Sequence, residues 1–439
     1  MFWFFFLIAL IKADSIELQC PPATASIQRL LDEAYISGAS VIVLNRDEIL
    51  YQKGIGYHSP PIPEQRQPMN AVSSIFVLAS ISKTFIAVAA MQVVELNLLN
   101  LDEDINKYLP PRMKIIHPHY PNAIITTRHL LTHTAGIGVN LAEEYKFYLP
   151  GDDFTKTNLG DIIEKYLSYN NSWLPVSPGH NITSYSNIGA SLAAFIVERV
   201  ANMSFEEYVQ EKILKVLGID KKDAGYRLSN FQDKKEYLVG HYIYNASWLQ
   251  TFQHMVPQIN VSRLYVPFYG ISRYPAGYLR MSAYSLSLFF QSFLNNFTKL
   301  LHNLSSVEEI IHVAPQTSYL NMSDSKYGLM WYWKVIGGRR LIGHEGSVPD
   351  LYLDWKKYHS QQCSNSSEVT SVVYREVGLL NNEFEKLQQD HLVSFNEFLS
   401  TKLNCTIQIS TSFADISKQS QFDLEEEEIF LSMGSVFWN

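Results

Sequence analysis

The sequence predicts a mixed α/β (α+β) domain whose antiparallel sheet is built from both ends of the chain, with a helical insertion between them. Three observations carry that prediction. Ser40–Leu44 (SVIVL) and Ile49–Tyr51 read as two early strands joined by a polar turn at Asn45–Glu48. Lys334–Ile336, Leu341–Gly343 and Val369–Val373 read as strands near the other end. The stretch between them is dominated by helical patterns and polar loops.

Each helix has its own signal. Ser82–Leu96 is rich in Ala, Val and Met and has no internal Gly or Pro, so nothing breaks it. Thr126–Thr132 opens a shorter helix that Ala135-Gly136 stops. Ile188–Ala201, Phe205–Leu217 and Ser282–Leu294 are further helices. Asn382–Lys402 reads as a closing helix, with Phe384, Leu387, Leu392, Phe395 and Leu399 roughly on one face. Residues 403–439 carry Asp423 and Glu425–Glu428 and read as an acidic, solvated tail.

Composition narrows the class of function. At 439 residues, 46% hydrophobic and 18% charged, the chain can bury a full core. A net charge of -8 and no Lys/Arg-rich run argue against a nucleic-acid partner. Phe2–Ile11 is an apolar run too short to cross a bilayer and suited to a signal peptide over residues 1–13, which implies secretion. No later run reaches the roughly 18 unbroken apolar residues of a stable membrane span. Ten Asn-x-Ser/Thr sequons, at Asn170, Asn181, Asn202, Asn245, Asn260, Asn296, Asn303, Asn321, Asn365 and Asn404, point to a glycosylated surface. Of the three cysteines, Cys363 and Cys405 flank the last predicted strand and helix, so they are the expected disulfide, with Cys20 left over. No Cys/His cluster has zinc spacing and no HExxH occurs, so no metal and no cofactor is expected.

The chemistry-bearing residues form three short elements. There is no GxSxG elbow. Ser80-Ile81-Ser82-Lys83 places a serine at a helix start with a lysine three residues on, on the same face. A serine hydroxyl needs an adjacent base, and a helix N-terminus favours a neutral lysine and nearby negative charge. SxxK alone is common, and Ser323–Lys326 repeats it inside a sequon-bearing polar loop. Tyr185-Ser186-Asn187 stands directly before the Ile188 helix and supplies a phenol for proton transfer and an amide to orient substrate. Taken alone the tripeptide reads as a helix cap, and Tyr169-Asn170-Asn171 matches the same pattern. His344-Glu345-Gly346-Ser347 leaves a predicted strand, where Gly346 lets substrate approach and the Ser347 N–H pairs with that of Ser80 as an oxyanion hole.

In this order and setting, the three elements resemble the serine β-lactamase-related family, which includes class C β-lactamases, D-alanyl-D-alanine peptidases and family VIII-type esterases. Further stretches carry the resemblance: Gly54-Ile55-Gly56-Tyr57, Phe76–Ser80, Thr127–Gly136, Pro178-Gly179, Pro275–Leu279 and Tyr327-Gly328-Leu329. It covers about residues 25–402, with a sheet part at 25–95 and 320–402 and a helical part at 96–319. The resemblance implies a β-lactamase/transpeptidase-like fold and a serine hydrolase. Ser80 would be acylated, Lys83 and Tyr185 would handle protons, and Asn187 would touch the acyl side chain. His344 would stand where many relatives have lysine. Which of Lys83 and Tyr185 is the base stays open. Glu345 replaces a small or hydroxyl residue, so a cleft-facing Glu345 would disfavour anionic substrates. The expected substrate is a small ester or a peptide-like amide, and the oligomeric state is undetermined by the sequence. The competing reading is a non-catalytic relative that keeps the cleft for binding or the domain for self-assembly. Intact Ser80, Lys83, Tyr185 and His344 speak against it.

Overall fold

The computed structural model describes residues 28, 36–59, 67–243, 264–313, 317–318, 326–336, 339–348, 369–376 and 429–436. Its centre is an eight-stranded sheet. The strands in chain order are β1 (Ile36–Leu44), β2 (Ile49–Ser59), β3 (Gln67–Pro68), β4 (Lys326–Tyr327), β5 (Tyr332–Ile336), β6 (Arg339–Val348), β7 (Val369–Glu376) and β8 (Ile429–Val436). Across the sheet they run β4-β5-β6-β7-β8-β1-β2-β3, every neighbouring pair antiparallel. The two chain ends therefore meet in one sheet, as the sequence predicts.

One expectation is corrected here. Residues 403–439 are not a solvated tail throughout, because Ile429–Val436 forms β8 in the middle of the sheet. Val41 pairs with Ser432 on one side, and Leu431 pairs with Val373 on the other. The acidic run Glu425–Glu428 dominates the local composition, yet it ends directly before Ile429-Phe430-Leu431, whose β-forming side chains suit a central strand. The expected helix at 382–402 lies outside the described residues, as do the signal-peptide segment, Cys20, Cys363, Cys405 and the sequons at Asn245, Asn260, Asn321, Asn365 and Asn404. Among the described sequons, Asn170, Asn181, Asn202 and Asn303 are exposed and Asn296 is half-buried.

The helices sit close to their predicted places. They are α1 (Ser82–Glu95), α2 (Thr127–Leu131), α3 (Asn187–Ala201) and α4 (Ala283–Leu294). The predicted helix over 205–217 instead runs Phe205–Val209 and then widens into a π-helical turn over Gln210–Leu214. The helix α1 has almost no amphipathic bias, since Lys83–Met91 is buried all round, which marks a central core helix rather than a surface one. It packs against α3, while α4 lies across β1 and β8. Phe85 of α1 stacks on Phe289 of α4 at 3.9 Å, and Trp331, at the start of β5, meets Phe293 at 4.3 Å. These aromatic contacts tie the helical layer to the sheet where α1 begins. Among the described residues no single helix is long and apolar enough to cross a membrane.

Candidate active site

Ser80 lies in a tight turn, Ala79–Ile81, that runs directly into α1. The preceding Ala79 has φ 47°, a left-handed conformation that costs a non-glycine residue free energy and is concentrated at functional sites. The surroundings hold it there. The Leu78 N–H donates to the Leu279 carbonyl at 2.8 Å, and the Leu279 N–H donates to Ser82 Oγ at 3.2 Å. On the other side β6 presses against the turn, and a Cβ at Gly346 would lie 2.3 Å from the Leu78 carbonyl oxygen. Gly346 is thus a glycine because backbone approaches it. On the Cβ side of Gly346 the room is taken by the Leu78–Ala79 turn.

Lys83, the second residue of α1 and about one turn on from Ser80, is fully buried. Its Nζ reaches Ser80 Oγ at 3.0 Å, Asn187 Oδ1 at 2.7 Å and the Ala276 carbonyl at 2.6 Å. The last two oxygens accept hydrogen bonds and cannot donate, so they take two N–H bonds of the lysine. The third tetrahedral position of Nζ points at Ser80. A neutral Lys83 presents its lone pair there without giving up either carbonyl contact. Asn187, expected to meet substrate, is anchored in this structure as a partner of Lys83.

Tyr185 closes the group from the other side. Its hydroxyl donates to Ser80 Oγ at 2.7 Å, and the Lys83 ammonium lies 4.8 Å from its ring centroid. The placement follows from local structure. Ser186 caps α3 by accepting from the Gly189 N–H, so Tyr185 ends an extended approach to the helix while Asn187 begins the helix itself. The look-alike Tyr169-Asn170-Asn171 sits elsewhere, with Tyr169 more than a third exposed and Asn171 bonded to Asn140.

The fourth expected residue, His344, is buried on β6 with its ring 6.3 Å from that of Tyr185. Its Nδ1 lies 2.5 Å from the Glu345 carbonyl, which requires the hydrogen on Nδ1 and leaves Nε2 as a bare acceptor. Burial, helped by the Lys83 charge, pushes its pKa down to about 3 despite the opposing pull of that carbonyl. Here the strand contributes a neutral imidazole where a lysine would contribute a charge. His344 and Gly346 share the strand face that looks at the Ser80 turn. Alternation along the strand puts the half-buried Glu345 side chain on the opposite face. The expectation of a cleft-facing Glu345 is therefore not met.

Among the described residues, the upper half of β6 has no strand paired on its β5 side. Pairing with β5 covers Arg339–Gly343, whereas pairing with β7 continues to Val348. The Glu345 N–H leaves on the β5 side, where it donates to the Tyr332 hydroxyl at 3.1 Å. Two residues on, the Ser347 N–H leaves by the same edge.

Several site residues were missed in the sequence. The Ala276 carbonyl holds Lys83, and His133, Tyr327 and Tyr332 wall the cleft around Tyr185 and His344. All but Tyr332 lie in stretches that carry the family resemblance, which was the available signal. Their roles depend on long-range contacts that no local pattern states. Among the described residues no group of three or more His, Cys, Asp or Glu is placed to hold a metal ion.

Comparison with known proteins agrees with this geometry. The family model described as Beta-lactamase matches residues 23–353. Protein flp of Staphylococcus aureus (strain MW2) is 25% identical over 212 residues, which is 48% of this chain and 39% of that protein. The chain thus spans well under half the length of that relative. Among solved structures, the octameric penicillin-binding protein homologue from Pyrococcus abyssi superposes with a TM-score of 0.61 at 20% identity, covering 94% of this chain and 72% of that one. The D-amino acid amidase from Ochrobactrum anthropi SV3, complexed with D-phenylalanine, gives 0.58 at 18% identity, covering 80% and 87%. At these identities the two structures speak for the fold.

Proposed function

Because the chain belongs to the beta-lactamase family, we propose that it is a serine hydrolase opening an ester or amide through an acyl-enzyme on Ser80. One observation carries the reading: Ser80 Oγ sits within hydrogen-bond reach of both Lys83 Nζ and the Tyr185 hydroxyl, at 3.0 and 2.7 Å. A serine so placed has a proton acceptor and a proton donor available at once.

In the proposed reaction, Ser80 Oγ attacks the substrate carbonyl carbon while its proton passes to neutral Lys83 or through the Tyr185 oxygen. The carbonyl oxygen becomes an oxyanion, held by the N–H groups of Ser80 and Ser347. The C–O or C–N bond then breaks, and the departing group takes a proton delivered through Tyr185. Water repeats the sequence on the acyl-enzyme and releases the acid and free Ser80. Asn187 and the Ala276 carbonyl hold Lys83 in place throughout. The D-amino acid amidase among the structural neighbours makes a small amide a reasonable first substrate to assay beside activated esters.

We also place the protein in the secretory pathway, supported by the apolar leader and by exposed sequons at Asn170, Asn181, Asn202 and Asn303. The decisive experiment is labelling with a fluorophosphonate and with a fluorescent penicillin, followed by peptide mass spectrometry. An adduct on Ser80 is expected. An adduct on Ser323, or none with either probe, overturns the proposal and favours a binding or scaffold role.

A further inference from the structure

His133 is a buried imidazole outside the Ser-Lys-Tyr group, and its conformation is unfavourable for its residue type. It follows α2 at the point where the chain turns away, with the Thr134 N–H donating back to the His129 carbonyl at 2.8 Å. At this helix end His133 has φ 58°, the left-handed conformation that glycine usually supplies. A histidine kept at such a site has a side chain with work to do elsewhere.

That work is visible in its contacts. The His133 carbonyl accepts from the Ser184 N–H at 2.7 Å, and its Nδ1 accepts from the Ser186 N–H at 3.2 Å. One residue thus fastens the backbone on both sides of Tyr185. The ring itself lies 4.6 Å from the Tyr185 ring and edge-on to Tyr327 at 4.9 Å. Because Nδ1 accepts, the hydrogen is on Nε2 and the ring must be neutral. Burial, together with the nearby Lys83 and His344, holds its pKa well below the usual histidine value, which keeps that acceptor bare.

We infer that His133 is a positioning residue: it clamps Ser184 and Ser186 so that the Tyr185 hydroxyl stays on Ser80 Oγ. The inference rests on the hydrolase reading above and adds to it the device that sets the proton-transfer geometry. His133 touches no reacting atom, so its loss acts on Ser80 only through the Ser184–Ser186 segment that carries Tyr185. A shift of the phenol by about 1 Å is enough to cost on the order of 100-fold in rate.

The test uses the full chain and an activated ester, with Ser80→Ala as the control that shows the signal belongs to Ser80. His133→Ala should lower kcat by about 10- to 100-fold, leave KM within about twofold and keep the shape of the pH profile. His133→Asn should recover most of the loss, since its Oδ1 replaces the Nδ1 acceptor and asparagine tolerates positive φ. In a Tyr185→Phe background His133→Ala should add less than about twofold, as expected for two residues acting as a unit. If the alanine variant does not fold, His133→Gly takes its place, because glycine adopts φ 58° without strain. An undiminished effect in the Tyr185→Phe background overturns the inference. So does a folded asparagine variant as poor as alanine, or a lost limb of the pH profile. A wild-type chain that never labels at Ser80 removes the hydrolase reading first and the positioning role with it.

Discussion

The cleft has two walls that satisfy their polar groups in opposite ways. On the helix wall, Ser80, Lys83, Tyr185 and Asn187 bond to one another, and the Ala276 carbonyl completes the set. On the strand wall, His344 Nε2 is buried with no hydrogen-bond partner among the described residues, and β6 pairing with β5 stops at Gly343 while pairing with β7 continues to Val348. A closed side-chain network fixes reacting atoms in advance. An open backbone edge with an unsatisfied acceptor is suited to receiving something from outside. On the proposed hydrolase reading, the difference puts the chemistry on the helices and the substrate's main-chain-like contacts on the strand.

That division predicts a ranking of mutational effects. Ser80→Ala removes the one atom on which the helix wall converges and should lower ester hydrolysis by about 10,000-fold or more with the fold intact. Rates of an activated ester and the thermal melt of the variant check it together. A variant that keeps even a tenth of the activity would place the nucleophile elsewhere.

Lys83→Arg comes next. Arginine keeps its proton at any working pH, so it cannot take one from Ser80, and its larger fork cannot reproduce the contacts to Asn187 and Ala276. A loss of about 1,000-fold in acylation is expected, within the span of general acid–base catalysis. Stopped-flow acylation of the variant decides it, and an arginine enzyme within tenfold of wild type would make Lys83 a structural cation.

The strand wall should show itself in stability against pH more than in rate. His344 has a folded pKa of about 3 against the ordinary histidine value of 6.5. As pH falls below that unfolded value, the unfolded chain takes up a proton that the folded chain refuses, so stability drops. The slope is at most about 1.4 kcal/mol per pH unit for this group, over the window from roughly 6.5 down to 3. His133 adds to it in the same direction. His344→Gln should therefore flatten the acid side of a plot of urea midpoint against pH. An unchanged slope would mean that the imidazole is solvated and charged in the folded protein.

How much of this was legible beforehand differs between the same two walls. The helix wall was readable because SxxK and YxN are short local patterns at helix starts, the second with a local cap from Ser186. The sequence did not show that Asn187 also accepts from Lys83, since nothing local shows that Lys83 lies across from it. The strand wall was readable as a strand but not as a face. That Gly346 packs against the Leu78 carbonyl, a contact across more than 260 residues of chain, was not legible locally. The central strand at Ile429–Val436 was hidden behind four glutamates, because composition over a window reports charge and cannot report the strands that pair with these eight residues. His133 and Ala276 were inside recognised stretches, yet their roles come from hydrogen bonds to segments 50 or more positions away.

The smallest expected effect concerns Glu345, where the strand geometry reverses a sequence expectation. A carboxylate lining the cleft about 4 Å from a substrate anion would repel it by about 1 kcal/mol in water and by more in a drier site. Alternation instead sends this side chain to the face away from His344 and Gly346, while its N–H is held at the strand edge by Tyr332. At about 10 Å through largely aqueous surroundings the same repulsion falls to roughly 0.4 kcal/mol, about a factor of two. We therefore expect Glu345→Thr to change the ratio of kcat/KM between a neutral ester and its carboxylate analogue by no more than about twofold at moderate salt. The same comparison on His344→Lys should move that ratio further toward the anion, since it places a permanent cation on the face that looks at Ser80. A tenfold shift in the Glu345 variant would show that its carboxylate does reach the cleft, and the strand wall would then select substrate charge through that side chain as well as through the uncharged His344.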